Sequence, residues 1–305
     1  PTAAVIEMPE GEQQKTLAAA NDIVSALIDH GAQRDSCAVA VGGGMIGDTA
    51  GFAAAIFLRG IDLIHVPTTL LAQVDSSIGG KVAVNHARGK NLIGAFHPPI
   101  AVVADTSILR SLPSREILSG IFEAMKAGVI GDPELFELFL RSKDAILGLD
   151  PDAIEQVVRR AIQVKASIVA EDERETDRRR LLNYGHTIGH AIEAALGYEG
   201  LTHGEAVAWG MIAANAVAAR RGILPEEERR RIDDVLLSYR PAPVPPVAPD
   251  DVLRAAQLDK KNTRSARLMI LPRGIGECEI VRDISDDDLR HGLSAALNRA
   301  NASGA

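Results

Sequence analysis

Short apolar runs punctuate the first third of this chain, and beyond it apolar residues recur at helical spacing. Ala3-Ala4-Val5-Ile6, Cys37-Ala38-Val39-Ala40-Val41, Leu63-Ile64-His65-Val66-Pro67 and Ile100-Ala101-Val102-Val103-Ala104 are strand-like runs. Gln13 to His30 carries the spacing of an amphipathic helix. Strand and helix patterns in alternation predict βαβ units, and hence a mostly parallel sheet covered on both faces over residues 1–110. After Leu112-Pro113-Ser114 the pattern becomes helical almost to the end. Asp150-Pro151 opens one long helix with an N-cap and a first-turn proline. The proline-rich segment Arg240 to Pro249 reads as a linker between helices inside that second domain, residues 111–305.

Composition narrows the class. A chain of 305 residues is long enough for two domains with sizeable cores. Its 46% apolar and 24% charged content is that of an ordinary globular protein. A net charge of −8 argues against a nucleic-acid or anionic-membrane partner held by bulk electrostatics, although local basic clusters can still bind a small anion. Cys37 and Cys278 are too few and too far apart for a disulfide frame, which points to reduced thiols and a cytoplasmic location. The apolar run from Ala38 to Leu58 is broken by Asp48 and by glycines, so it is no membrane span. No secretory signal pattern is visible, and an opening Pro1 without Met fits a processed or trimmed segment.

The chemistry concentrates in Asn183-Tyr184-Gly185-His186-Thr187-Ile188-Gly189-His190 and in His203-Gly204-Glu205 shortly after. On a helix His186 and His190 share a face, and the Gly197 to Thr202 loop lets His203 arrive from the next helix. Three imidazoles with Glu123 as a candidate carboxylate resemble a metal site of two His and one Glu, with positions left for substrate. A His pair at this spacing is more often hydrogen-bonded packing; the third His favours ligation. Gly42-Gly43-Gly44-Met45-Ile46-Gly47 follows a strand and precedes a helical run from Asp48, which suits a pyrophosphate at a helix N-terminus. A tight strand-to-helix turn explains that pattern about as well. Asp62 has the spacing of a ribose-binding acid but sits at the start of its strand, so it is not assigned that role. Lys81, Lys90, Lys126, Lys165, Arg179, Lys260 and Lys261 form a cationic set. A lone lysine is ordinarily a solvated charge, but Gly-Gly-Lys and Gly-Lys-Asn lie among turns and apolar segments. Such company suits a substrate bearing phosphate and carboxylate.

These residues together resemble the 3-dehydroquinate synthase family of sugar-phosphate cyclases, over essentially the whole chain. The likeness runs through Pro9 to Lys15, Gly42 to Gly51, Leu58-Arg59-Gly60, Val66 to Leu71, Asp75 to Lys81 and Gly89 to Gly94. It continues through Glu123 to Lys126, Glu171 to Arg174, Leu181 to Glu193, His203-Gly204-Glu205 and Asp259-Lys260-Lys261-Asn262. The resemblance implies a Rossmann-like α/β NAD-binding domain, residues 1–110, followed by an all-α metal- and substrate-binding domain, residues 111–305. It implies Glu123, His186 and His203 as ligands of zinc, for which cobalt could substitute, and makes His190 a substrate-side residue. Positions around NAD would be Glu10, Gly11, Glu12, Gln13, Gln14, Lys15, Gly44, Met45, Ile46, Gly47, Asp48, Thr68, Thr69, Lys81, Lys90, Ile108, Leu109, Arg110 and Ser111. Asp75, Asn91, Lys126, Lys165, Arg179, Asn183 and Lys260 or Lys261 would line the substrate pocket. Arg59 matches an arginine that reaches the neighbouring subunit's phosphate pocket, which implies a homodimer.

The substrate so implied is a sugar-phosphate keto acid, 3-deoxy-D-arabino-heptulosonate 7-phosphate. NAD+ takes a hydride, phosphate is eliminated, the hydride returns, and an aldol closure completes the ring in the second step of the shikimate pathway. One departure stands out: the family's first strand–helix–strand unit, which holds the adenosine end of NAD, is missing before Val5. The expectation is a trimmed portion of a longer protein, with a non-catalytic homologue as the alternative if the loss is genuine. A valiolone-type cyclase and a glycerol-dehydrogenase-type enzyme are the other readings. The latter typically has Asp where this chain has Glu123, and lacks the Gly-Lys-Asn and Asp-Lys-Lys-Asn signatures.

Overall fold

The computed structural model describes residues 4–260 and 268–303, with residues 257–260 and 303 as backbone only. The chain divides between Leu112 and Pro113 into two compact units.

In the first unit a 3-10 turn at Glu12–Gln14 precedes helix α1, Leu17–Asp29. Thr16 caps α1 by accepting the Ala19 N–H at 3.1 Å, so the helix expected from Gln13 breaks at Lys15. Strand β1 (Cys37–Gly42), helix α2 (Gly44–Ile56) and strand β2 (Asp62–Pro67) form a βαβ unit. An antiparallel hairpin follows, β3 (Lys81–His86) and β4 (Gly89–Phe96), and then the two-residue strand β5 (Ala101–Val102). The order β1-β2-β5 is parallel throughout. Alternation along β1 and β2 turns Ala40 and Leu63 toward Phe52, Ala53 and Ala54 of α2, and Val82 and Val84 of the hairpin join the same core. Full burial of a side chain such as Leu63 stabilises by roughly 1.5–3 kcal/mol.

Three expectations need correction here. Residues 4–9 form no strand, because no described strand hydrogen-bonds to them and Val5 stays exposed. The sheet is not covered on both faces among the described residues: Val39 and Val41, pointing away from α2, are 56% and 60% exposed. Helix α2 begins at Gly44, not at Asp48, so the glycine segment is itself the first helical turn.

The second unit is helical: α3 (Ser114–Gly131), α4 (Pro133–Arg141), α5 (Lys143–Leu147), α6 (Pro151–Glu171), α7 (His186–Ala195), α8 (His203–Arg220), α9 (Glu226–Ser238), α10 (Pro249–Lys260) and α11 (Asp286–Ser303). The all-α expectation gains one addition, the antiparallel pair β6 (Met269–Gly274) and β7 (Glu277–Val281) between α10 and α11. Asp150 does cap α6, accepting the Ala153 N–H at 3.0 Å, with Pro151 in the first turn. The proline-rich segment is fastened to α8 by Trp209, whose Nε1 donates to the Ala242 carbonyl at 2.8 Å.

Helix α8 is apolar all round and buried along most of its length, which makes it the axis of this unit. Two glycines set its distances. A Cβ on Gly210 would stand 1.8 Å from the Gly185 carbonyl oxygen, and one on Gly204 would stand 2.0 Å from that of Ser119. Backbone contact at these points brings α8 against both α7 and α3, and so brings His203 beside His186 and Glu123. No described helix is long and apolar enough to cross a membrane.

Candidate active site

Three helices of the second unit each deliver part of a cluster. His186 and His190, one turn apart on α7, have ring centroids 4.9 Å apart. His203, the first residue of α8, lies 5.4 Å from His186 and 5.6 Å from His190. Ligating atoms of all three lie within 4.8 Å of one another. From α3, Glu123 presents Oε1 to His186 Nε2 at 3.8 Å and to His203 Nε2 at 3.6 Å. Zinc bonds of about 2.0–2.2 Å in a tetrahedral site place neighbouring ligand atoms roughly 3.3 Å apart, close to these separations.

Two ligand sets are open to this geometry, the three imidazoles or Glu123 with His186 and His203. The surroundings favour the second. Glu123 is 2% exposed, and neither of its oxygens accepts a hydrogen bond among the described residues; its contact with Lys126 is a charge pairing from one turn along α3. Lys126 meets Oε2 alone, so Oε1, turned to the two imidazoles, is the oxygen that a metal ion would complete. Both imidazoles facing it are held through Nδ1, His186 by the Tyr184 carbonyl at 3.1 Å and His203 by Glu193 Oε2 at 3.2 Å, which leaves each Nε2 for a metal. His190 is exposed. Burial, reinforced by Lys126 and the neighbouring imidazoles, drives the His186 pKa well below its ordinary value, which suits a neutral ligand. Burial also pulls His203 down, but the Glu193 hydrogen bond and charge, with Glu123, outweigh it and raise the net value. The residues present fit a divalent cation.

Cationic groups stand in the same unit. Lys126, Lys165 and Arg179 are 3%, 8% and 2% exposed. Arg179 and Asn183 belong to a 3-10 segment, Arg178–Asn183, whose approach is organised by Asp172. That carboxylate accepts the N–H groups of Thr176, Asp177 and Arg179 at 2.9, 2.8 and 3.0 Å, bonds that hold its pKa far below the carboxylate range. Arg179 also donates to the Glu173 carbonyl, and Asn183 Nδ2 donates to Glu175 Oε1 at 2.6 Å. Glu205, conspicuous in the sequence beside His203, shapes the helix start instead of the site, closing a capping box with Thr202 and pairing with Arg115. The Lys260 side chain and all of Lys261 lie outside the described residues.

The first unit gathers a different set. Lys15, 5% exposed, donates to Asp48 Oδ2 at 2.6 Å and to Asn91 Oδ1 at 2.5 Å. Glu12 joins through Asn85, whose Nδ2 reaches Glu12 Oε1 at 2.8 Å. Gly44, Met45 and Ile46 form the first turn of α2 at the C-terminal end of β1, where unpaired N–H groups favour an anion. Thr68 and Thr69 follow β2 at the same end of the sheet, and the Thr68 N–H donates to the Gly42 carbonyl at 2.9 Å. Asp75 lies in a wide π-type turn, Ala72–Ser76, a distortion common at functional sites. Gln73 of that turn donates to the Pro67 and Asp105 carbonyls at 3.2 and 2.9 Å, and Asp105 caps the 3-10 helix Thr106–Ser111. Within that helix the Leu109 side chain is fully buried. Lys81 opens β3 and Lys90 lies in β4. Asp62 pairs with Cys37 at the opposite end of the sheet, away from the glycine turn. Arg59 lies at that opposite end too, past the C-terminus of α2, on a turn where Leu58 and Arg59 both have positive φ. It is therefore not brought to the other candidates of its own unit. Sequence reasoning missed Asn85 and Glu193. Glu193 carried a weak signal, since it lies one turn past His190 on the same face.

Comparison with known proteins bears on this arrangement. Family models described as 3-dehydroquinate synthase N-terminal and C-terminal match residues 5–119 and 120–262. A 3-dehydroquinate synthase of Desulforamulus reducens is 45% identical over 293 residues, covering 95% of this chain and 82% of that protein. A 2-epi-5-epi-valiolone synthase from Streptomyces hygroscopicus, solved with NAD+ and Zn2+, superposes with a TM-score of 0.88 at 30% identity, over 96% of this chain and 82% of that one. A 2-deoxy-scyllo-inosose synthase complexed with carbaglucose-6-phosphate, NAD+ and Co2+ gives 0.84 at 33% identity, over 95% and 82%.

Proposed function

The chain belongs to the 3-dehydroquinate synthase family, and on that footing we propose that it converts 3-deoxy-D-arabino-heptulosonate 7-phosphate to 3-dehydroquinate and inorganic phosphate. It is an NAD- and zinc-dependent lyase that carries out an oxidation and its reversal within one turnover. The observation that carries the reading is Glu123: a buried carboxylate with one oxygen paired to Lys126 and the other faced by two imidazole nitrogens whose opposite nitrogens are held. The 45% identity to a 3-dehydroquinate synthase, against 30% to the valiolone synthase, favours the carboxylate-bearing substrate.

Glu123, His186 and His203 hold the metal. When bound, zinc supplies Lewis-acid polarisation of substrate oxygens and NAD+ accepts and returns the hydride. His190, exposed one turn from His186, faces substrate and moves a proton there. Lys126 balances Glu123 and offers donors to the substrate phosphate, and Arg179 with Lys165 takes the carboxylate. In the first unit Glu12, Lys15, Asp48 and the opening turn of α2 hold the dinucleotide, with its pyrophosphate on the free N–H groups. Arg59, remote from these residues within its own unit, serves the phosphate pocket of a second copy, and the enzyme is a homodimer. The test is a turnover assay with NAD+ and zinc. Phosphate should accumulate while absorbance from NADH stays flat after any first-turnover transient. NADH rising in proportion to product would instead mark a dehydrogenase.

A further inference from the structure

We infer that Asn85 is a positioning residue that ties the dinucleotide-holding residues of the first unit to Asn91, a role that rests on the function proposed above. The hairpin is irregular at this point. Val84 pairs with Ile93 and His86 with Gly89, so the single residue Asn85 stands opposite Lys90, Asn91 and Leu92. Extra residues on one strand bend it and re-aim its side chains, which is how bulges serve functional sites. Asn91, inside this bulge, has φ +56°, a left-handed conformation that Asn tolerates better than most residues but that still has to be held.

Asn85 holds it. Its Oδ1 accepts the Asn91 N–H at 2.9 Å, its Nδ2 donates to Glu12 Oε1 at 2.8 Å, and its own N–H donates to the Lys15 carbonyl at 2.8 Å. The circuit closes through Lys15, whose ammonium reaches both Asn91 Oδ1 and Asp48 Oδ2. The Asn85 side chain thus joins Glu12 to Asn91, and Asp48 enters the circuit through Lys15. The Asn amide offers an acceptor and a donor on one short planar group, and Gln would move both by one carbon. The carbonyl sets the bulge that aims Asn91, while the NH2 group sets Glu12.

Because the two ends of the amide serve different neighbours, they can be separated. Asn85→Ala removes both, and the dissociation constant for NAD+ and the KM for the sugar phosphate should each rise about tenfold, with zinc content unchanged. Asn85→Asp keeps the acceptor for Asn91 but sets a carboxylate against Glu12. It should weaken NAD+ comparably while KM stays within about threefold of wild type. Hydrogen exchange at the Asn91 amide gives a readout that needs no turnover: protected in wild type and in Asn85→Asp, unprotected in Asn85→Ala. An Asn85→Ala protein that keeps the Asn91 amide protected overturns the inference, as does a result in which Asn85→Ala and Asn85→Asp raise both constants alike. Wild type that protects this amide yet releases no phosphate would instead count against the proposed function alone.

Discussion

The imidazole cluster and the lysine web are built by different means. His186, His190, His203 and Glu123 stand on three helices whose backbones touch at Gly204 and Gly210. Behind His186 runs a buried polar chain, in which Tyr184 donates to Asn215, Asn215 Nδ2 donates to Asp233 at 2.8 Å, and Arg229 donates to Asp233 at 2.7 Å. The web of Glu12, Lys15, Asp48 and Asn91 rests instead on a 3-10 turn, the start of a helix and a bulged hairpin. Helices fix a direction through many backbone bonds; a turn or bulge depends on the few side-chain bonds that hold it. The first region should therefore tolerate loss of a contact in its geometry but not in its charge, and the second the reverse.

Outside the ligand set, the largest effect should come from Glu193→Gln. The amide can still meet His203 Nδ1 but no longer supplies the charge, and loss of such an outer partner typically weakens metal binding by about 10–100-fold. Competition with a chelator measures it, and an unchanged zinc affinity would make Glu193 a bystander. Next is Lys15→Met, which fills a similar volume but releases Asp48 and Asn91. It should weaken NAD+ by about tenfold in a titration while zinc content holds. Equal loss of zinc would mean the two regions are not independent.

The smallest effect is a pH slope. Burial pushes the Asp233 carboxyl up to about 6, against the bonds from Asn215 and Arg229 that favour its ionised form. With its folded value raised, this group contributes stability that is fully present below about pH 4 and lost as pH rises through about 6. Asp233→Asn should remove that slope, so wild type should lose about 1–2 kcal/mol relative to the variant between pH 5 and 7 in urea unfolding. Parallel curves would show that Asp233 stays ionised in the fold.

The contrast also explains what the sequence disclosed. The i, i+4 spacing of His186 and His190 is legible because helix geometry is local, and the glycines flanking the cluster mark close approach. Periodicity alone nominates His190 equally with His186. The two part through the carbonyl of Tyr184 and the carboxylate of Glu123, partners of His186 that no spacing reveals. The segments around Lys81 and Lys90 read as turns and loops, because the glycines and turn residues of the β3–β4 hairpin hide the alternation of Val82 and Val84. Asn85 lies beyond reach for the same reason: its role exists only where Glu12, Lys15 and Asn91 converge.

The most direct test of the metal assignment is the zinc content of four purified variants, read by mass spectrometry after dialysis against zinc. Glu123→Ala, His186→Ala and His203→Ala should each retain little zinc, while His190→Ala retains one equivalent and loses turnover. Zinc lost from His190→Ala but kept by Glu123→Ala would transfer the site to the three imidazoles and contradict the assignment.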